Sequence, residues 1–393
     1  MSAGHGLQHL PIVTDWPAGY RTTLERLAFE LLTHPSHRTL PALPLLPPVP
    51  AGPTNFPAGG FEALLQACTD ARPGIERVLR AAATAPAPAI ALRMVGDAWS
   101  ARPAVTPSRA EREVALWTAT RMPTAAARAR WQPYDRVVVG SRWAAEYAEH
   151  SGAQAVETLP TGVDLTEFAP APRRGDLAGH FVIYSAGRFV HRKGPDLVLR
   201  AVAAFRERHP DTLLLTAWQS PWPELARDLL GTAFDTLPDL VAGRFDFASW
   251  AVSHGFPAGS LVDVGDVPQA VLAALLSEVD VALFPSRAES DHNGRLLECL
   301  AAGVPVIASA NTGHRDVLDA ADTWPLVDQR AVPIASEATV GWGESSVDEI
   351  VAHLEQIYAD RAAARTRAAA ARARLTRHAW RTVIEQLHRA VRR

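Results

Sequence analysis

Five short apolar runs, at residues 181–186, 212–218, 261–264, 279–284 and 304–309, alternate with segments of helical character at 196–208, 223–230, 268–277, 294–302 and 346–377. Parallel neighbours in a sheet need a long crossover, usually a helix, so this alternation predicts an α/β unit with a parallel sheet covered by helices. The first half carries the same signal more faintly, with strands expected at 10–13, 89–95 and 136–140 and helices near 20–32 and 142–150. At 393 residues the chain is too long for one ordinary core, and it fits two domains of about 150–200 residues each. The segment APAPRRGDL at 169–177 has the proline, glycine and charge content of an exposed linker. The expected division is therefore a first domain at 1–168, a linker at 169–178, a second domain at 179–375 and a closing helix at 376–393.

Composition narrows the class. The apolar share of 48% and charged share of 21% are those of a folding globular chain. Lys+Arg 39 against Asp+Glu 42 leaves a net charge of −3, without the basic excess of a nucleic-acid binder, so no nucleic-acid partner is expected. Cys68 and Cys299 are the only cysteines; two distant thiols make neither a disulfide framework nor a metal knuckle, which favours a reducing compartment. The first arginine is Arg21, so the opening residues lack the basic-then-apolar order of a secretory leader. The apolar stretch at 40–49 is broken by prolines and too short to span a bilayer. A cytoplasmic location is expected.

One lysine stands among 38 arginines, and it is Lys193. It follows Arg188 by five residues in a loop that leaves the strand at 181–186 and enters a helix. Loops at the carboxyl ends of parallel strands are where such sheets take ligands. A guanidinium fork beside a compact ammonium suits a diphosphate, although two basic residues in a loop also fit plain solvation. The loop is expected to be exposed, so that neither side chain bears on stability.

A second constellation runs through FPSRAESDHNGRLLECLAAGVPVIASANTGH, residues 284–314. A strand ends near Pro285, a polar loop follows from Ser286 to Asn293, and Gly294 opens a helix that carries Glu298. Free N–H groups at a helix start bind anions, and glycine there leaves room for approach. Glu289 and Glu298 frame that start. Carboxylates accept rather than donate, so they suit hydroxyls of a sugar or ribose rather than phosphate. Two glutamates nine apart fit a solvated helix face as well.

At these residues the chain resembles the retaining, nucleotide-sugar-dependent glycosyltransferases of family 4, which have the GT-B fold. The likeness is carried by VVVGSRWAAEY (137–147), LPTGVDLTEF (159–168), GRFVHRKGPDLVLRA (187–201), and the stretch from Glu289 to Glu298 with AAGVPVIAS after it. The resemblance implies two Rossmann-like domains with parallel sheets facing across a cleft, and a C-terminal helix crossing back to the first domain. It implies a donor site at Arg188, Lys193, Glu289, Asn293, Gly294, Arg295, Leu296 and Glu298. Arg188 and Lys193 would hold the diphosphate, Glu298 the ribose hydroxyls and Glu289 the transferred sugar; Arg188, Lys193 and Glu289 are the catalytic candidates. The commoner family pattern has seven residues between the glutamates, and here there are eight. No Asp-X-Asp occurs, so neither a metal nor any other cofactor is expected. The implied partners are a nucleotide-sugar donor and a hydroxyl-bearing acceptor of unspecified kind. A nucleotide-sugar epimerase or hydrolase on the same fold, and a silent nucleotide- or carbohydrate-binding protein, are the alternatives.

In the first half, Gly19 in DWPAG and Asp97 in VGDAWS are candidates for the cleft; a simple strand-to-helix turn also accounts for the former. Residues 361–393 hold ten arginines and one acid, Glu385. Trp380, Val383, Ile384 and Leu387 share one helical face, which supports packing against something, and the resemblance implies that this is the first domain; a solvated Ala/Arg helix is the alternative. The arginines are left to solvent, an anionic acceptor or a membrane surface.

Overall fold

In the computed structural model the described residues are the strands at 10–13, 42–45 and 90–95, and residues 112–392 apart from 119, 121–130, 221–222, 232, 266 and 333–338. The chain divides into two units, 1–162 with 380–393, and 163–379.

The first unit is built on a parallel sheet of β1 (Leu10–Val13), β2 (Ala42–Leu45), β3 (Ile90–Val95), β4 (Arg112–Trp117), β5 (Arg136–Val139) and β6 (Val156–Thr158), in the order β2-β1-β3-β4-β5-β6. Helix α1 (Arg142–His150) follows β5, and the Ser141 hydroxyl caps it by accepting from the Ala144 N–H at 3.1 Å. The sequence pattern missed β2, β4 and β6. Strand β2 contains Pro44 and lies at the sheet edge, where a missing N–H costs no ladder bond. The expected helix at 20–32, Gly19 and Asp97 lie outside the described residues.

The second unit begins with β7 (Phe181–Ala186), every residue of which is buried. It continues through α2 (Pro195–Arg206), β8 (Thr212–Ala217), a 3-10 turn at Pro223–Leu229, a hairpin of β9 (Leu240–Val241) and β10 (Arg244–Phe245), and α3 (Phe247–Ser253). Then come β11 (Leu261–Asp263), α4 (Gln269–Leu276), β12 (Val281–Phe284), α5 (Gly294–Ala301), β13 (Val306–Ser309) and β14 (Trp324–Leu326). An antiparallel pair, β15 (Gln329–Ala331) and β16 (Gly343–Ser345), precedes α6 (Val347–Ala359), α7 (Arg361–Ala369) and α8 (Ala371–Arg374). The main sheet is parallel in the order β11-β8-β7-β12-β13-β14. Counted from β7, that is the doubly wound 3-2-1-4-5-6 order, with its reversal between β7 and β12.

Period-two alternation splits the strands between two cores. Ile183, Leu214, Leu283 and Ile307 pack on one face with Leu197, Val202 and Leu354. Tyr184, Leu215, Phe284 and Val306 pack on the other with Leu272, Leu296 and Leu300. Each fully buried aliphatic or aromatic side chain contributes about 1.5–3 kcal/mol, so the two cores hold the strand ends in fixed register.

Several expectations are corrected. The segment 169–178 is no free linker but part of the second unit: Arg173 pairs with Asp280 at 2.5 Å, and the Arg174 and Gly175 N–H groups donate to Glu278. The single helix expected at 346–377 is broken, because Asp360 leaves helical geometry (φ −145°, ψ 80°) and its carboxylate caps the next helix at Ala363 N. The arginines of this region do not simply face outward. Arg361 binds Asp211, Arg374 binds Asp322, and Arg365, Arg367, Arg372 and Arg377 donate to the carbonyls of Val279, Ala320, Phe168 and Asp316. Guanidinium forks here close helix and strand ends, where free carbonyls need donors.

Helix α9 (Trp380–Arg392) belongs to the first unit. Val383, Ile384 and Leu387 are buried, whereas Arg381, Glu385 and Arg389 form its exposed stripe. A Cβ on Gly162 would run into the Trp380 ring, so that glycine is set by close approach. No described helix is long and apolar enough to cross a membrane.

Candidate functional site

The reversal of strand order leaves a crevice beyond the carboxyl ends of β7 and β12, and the two loops that leave those ends carry the sequence candidates. The loop after β7 runs from Gly187 to Gly194. Gly194 has φ +70°, and a Cβ on it would strike the Pro285 carbonyl oxygen, so glycine is required where the two loops touch. Pro195 then opens α2 at a position where its missing N–H costs nothing.

The loop after β7 is not exposed as expected, and the polar loop after β12 is buried as well. Phe189 and Val190 enter the core, Arg192 is 7% exposed, and residues 285–290 are all buried. The reason is Arg287. Its guanidinium holds Asp196 through two bonds of 2.8 and 2.7 Å, Glu344 at 2.6 Å and the His191 carbonyl at 2.7 Å. Glu344 also accepts from Arg330 at 2.6 Å. Burial pushes the Glu344 carboxyl up, but bonds from Arg287 and Arg330 outweigh it and hold it below the ordinary range. Burial and the Arg287 charge both lower His191.

Lys193 and Glu289 meet at 2.6 Å, and Arg192 reaches the other oxygen of Glu289 at 2.8 Å. The Ser286 hydroxyl and the Asn293 amide complete the set, at 2.7 and 3.4 Å from Oε1. Burial would raise the Glu289 carboxyl, but Lys193 and Arg192 overcome it, so the group is well below its usual value and ionised. Burial lowers the Lys193 ammonium while Glu289 opposes the change. Arg188 is half-buried and near enough to Lys193 for its charge to depress that ammonium further.

Each residue of the NTGH element, 311–314, braces one part of the loop after β12. Asn311 donates to the Ser286 carbonyl at 3.0 Å, Thr312 Oγ1 accepts from Glu289 N at 2.8 Å, Gly313 N donates to the Glu289 carbonyl at 3.0 Å, and His314 meets the Asn293 amide at 3.3 Å. A Cβ on Gly313 would collide with the Asp291 and Glu289 carbonyls. His314 is 0% exposed, and burial lowers its pKa to about 4.

Helix α5 starts at Gly294, in front of which a Cβ would meet nothing within 4 Å. The glycine leaves room beside the first N–H groups of the helix, and such groups suit an anion. Asn293 caps it in a left-handed conformation, φ +60°, with no side-chain bond to the helix. Leu296 is buried in the core. Arg295 pairs with Glu298 at 2.8 Å, while burial raises the Glu298 carboxyl against that partner.

The structure thus gathers Arg188, Lys193, Glu289, Asn293, Gly294, Arg295 and Glu298 at one end of one sheet. Leu296 anchors the helix from below. Sequence reasoning missed Arg192 and Arg287, each one of 38 arginines, and passed over Thr312. The signal for Thr312 lay in the NTGH element.

Comparison with known proteins adds one family, two relatives and two solved structures. A family model described as Family 4 Glycosyltransferase in conflict systems matches residues 134–387. A D-inositol 3-phosphate glycosyltransferase of Arthrobacter sp. (strain FB24) is 33% identical over 195 residues, 47% of this chain and 41% of that protein. A GDP-mannose-dependent alpha-(1-6)-phosphatidylinositol monomannoside mannosyltransferase of Mycolicibacterium smegmatis is 30% identical over 183 residues, 44% of this chain and 43% of that protein. The chain thus spans less than half the length of these relatives. Among solved structures, Anabaena HepE in complex with UDP and glucose superposes with a TM-score of 0.65 at 12% identity, over 98% of this chain and 99% of that one. Sucrose-phosphate synthase from Thermosynechococcus elongatus gives 0.63 at 17%, over 98% of each chain. At such identities the likeness shows the fold, which is GT-B, with two Rossmann-like units.

Proposed function

Since the chain belongs to the family 4 glycosyltransferases in conflict systems, we propose that it transfers a sugar from a nucleoside diphosphate to an acceptor hydroxyl, with retention at the anomeric carbon and without a metal. The observation that supports this best is the meeting, at the reversal of strand order, of Arg188, Lys193 and the open N-terminus of α5 beside Glu298.

In this reading Arg188, Lys193 and the N–H groups from Gly294 onward take the diphosphate, and Glu298 takes the ribose hydroxyls. Glu289 holds Lys193 and Arg192 in place, and reaches the transferred sugar by exchanging its Ser286 contact for a hydroxyl. The anomeric C–O bond to phosphate breaks while a bond to the acceptor oxygen forms on the same face, and the acceptor proton passes to the leaving phosphate. Fixed cations and helix N–H groups stabilise the charge left on the diphosphate. The missing Asp-X-Asp and these protein cations support the metal-independent reading.

The test is titration calorimetry with UDP, GDP, UDP-glucose and GDP-mannose, the nucleotides in the names of the relatives and structural neighbours, followed by turnover with and without EDTA. Binding of one nucleotide, with sugar transfer that survives EDTA, is expected. Release of nucleoside diphosphate with no acceptor consumed would instead indicate a hydrolase. An inert panel would overturn the assignment.

A further inference from the structure

The Glu289 carboxylate is ionised and its Oε1 lies 3.4 Å from the Asn293 side-chain amide. A carboxylate accepts only, so the NH₂ end of that amide must face it; turned the other way, the amide would set two acceptors against each other. The same NH₂ group lies 3.3 Å from His314 Nε2. It has two hydrogens, one for Glu289 and one for the imidazole, so Nε2 must be an acceptor and carry no proton. On the far side of the ring, Nδ1 lies 3.2 Å from the Ser309 carbonyl, another pure acceptor, and must carry the proton. The orientation of one amide and the tautomer of one histidine are therefore fixed by a single charge, and the neutral ring agrees with a pKa of about 4, set by burial, with Lys193 and His292 lowering and Glu289 raising it.

Both amide hydrogens being committed, the Asn293 carbonyl oxygen is the one atom of that side chain left for a further bond. Among the described residues nothing donates to it. Asn293 directly precedes Gly294, whose front is open, and it holds its place in a left-handed conformation that costs energy for a non-glycine residue. An acceptor at this point cannot bind phosphate oxygens; it takes a hydroxyl.

We propose that Asn293 is a specificity-determining residue that accepts a hydrogen bond from a hydroxyl of the transferred sugar, and that His314 is a positioning residue whose Nε2 lone pair keeps the Asn293 carbonyl turned toward that hydroxyl. This rests on the donor assignment above. It separates Asn293 from the diphosphate ligands.

Two experiments decide it. In the unliganded protein labelled with ¹⁵N-histidine, long-range ¹H–¹⁵N correlations at pH 7, assigned to His314 by comparison with His314→Gln, should show a neutral ring with its proton on Nδ1. A proton on Nε2, or an imidazolium, overturns the positioning role and leaves the donor assignment untouched. In calorimetry, Asn293→Ala should weaken UDP-glucose or GDP-mannose, whichever the parent binds, by about tenfold, while the matching UDP or GDP changes by less than about twofold. His314→Leu should reproduce this split and His314→Gln, which restores an acceptor, should stay within about threefold of the parent. Equal losses for the nucleotide and its sugar would overturn the hydroxyl contact. A parent that binds none of the four overturns the donor assignment and the hydroxyl contact together, and the tautomer measurement still stands alone.

Discussion

The Lys193 ammonium lies 2.6 Å from the Glu289 carboxylate, and this one pair ties the loop after β7 to the loop after β12. Lys193 follows the strand at the centre of the sheet and Glu289 the strand beside it, so the pair sits at the reversal of strand order. Its side chains are 15% and 4% exposed, which makes it a buried pair rather than a surface one.

Removing either partner should therefore affect folding as well as binding. Lys193→Met and Glu289→Gln are each expected to cost about 3 kcal/mol, or roughly 6–12 °C in melting temperature for a unit of this size. The double variant should cost less than the sum, because Lys193 is then no longer left without its carboxylate and only Arg192 loses that partner. Thermal unfolding followed by circular dichroism reads all three, and strictly additive losses would show that the two groups do not interact.

Acid should weaken the second unit in two stages. His314 is neutral and buried, with its pKa lowered from 6.5 to about 4, so between those values the unfolded chain binds a proton that the folded one refuses. Its contribution is complete above pH 6.5 and is lost on the way down to 4, an effect of about 3 kcal/mol. Glu289, held low by Lys193 and Arg192 against burial, adds stability that is present above its unfolded value of about 4.3 and lost below it. Urea unfolding of the parent and of His314→Gln at pH 7, 5.5 and 4.5 should show the first stage flattened in the variant.

Arg287 carries the neighbouring network. Arg287→Met strands the buried Asp196 carboxylate and leaves Glu344 with Arg330 alone, and should cost about 3–5 kcal/mol. Replacing all three by apolar residues of similar volume should recover much of that loss. Denaturation midpoints of the single and triple variants measure it.

Glu298→Gln should leave the fold nearly intact, since among the described residues Glu298 pairs within its own helix, with Arg295. If it accepts from ribose hydroxyls, the neutral amide should weaken nucleotide binding by roughly tenfold through loss of a charge-assisted bond. Calorimetry with the nucleotide that the parent binds is the measurement, and unchanged affinity would move the ribose elsewhere.

Strands with uninterrupted apolar runs were legible. Positions 10–13, 181–186 and the helix at 142–150 stand where the pattern places them. Short strands such as Val156–Thr158 and Trp324–Leu326 are too brief for periodicity to register. The site was legible where chemistry is rare: the lone lysine, and an asparagine that occurs only three times in the chain. It was illegible where chemistry is common, as at Arg192 and Arg287. Burial of the polar loop after β12 could not be read either, since it depends on partners near Asp196, Asn311 and Glu344 that only the fold brings close.

The N–H of Val163 donates to the carbonyl of His378 at 2.8 Å, and Val163 is bridged to Ala379. The second unit therefore begins and ends at the same spot. Seen from the gene, it is a cassette whose two ends are already spliced together by the backbone, and it can be excised or exchanged at residues 163 and 379 without stretching the chain. Evolution can trade such a piece whole, carrying Lys193, Glu289, Asn293 and His314 together as one inheritance.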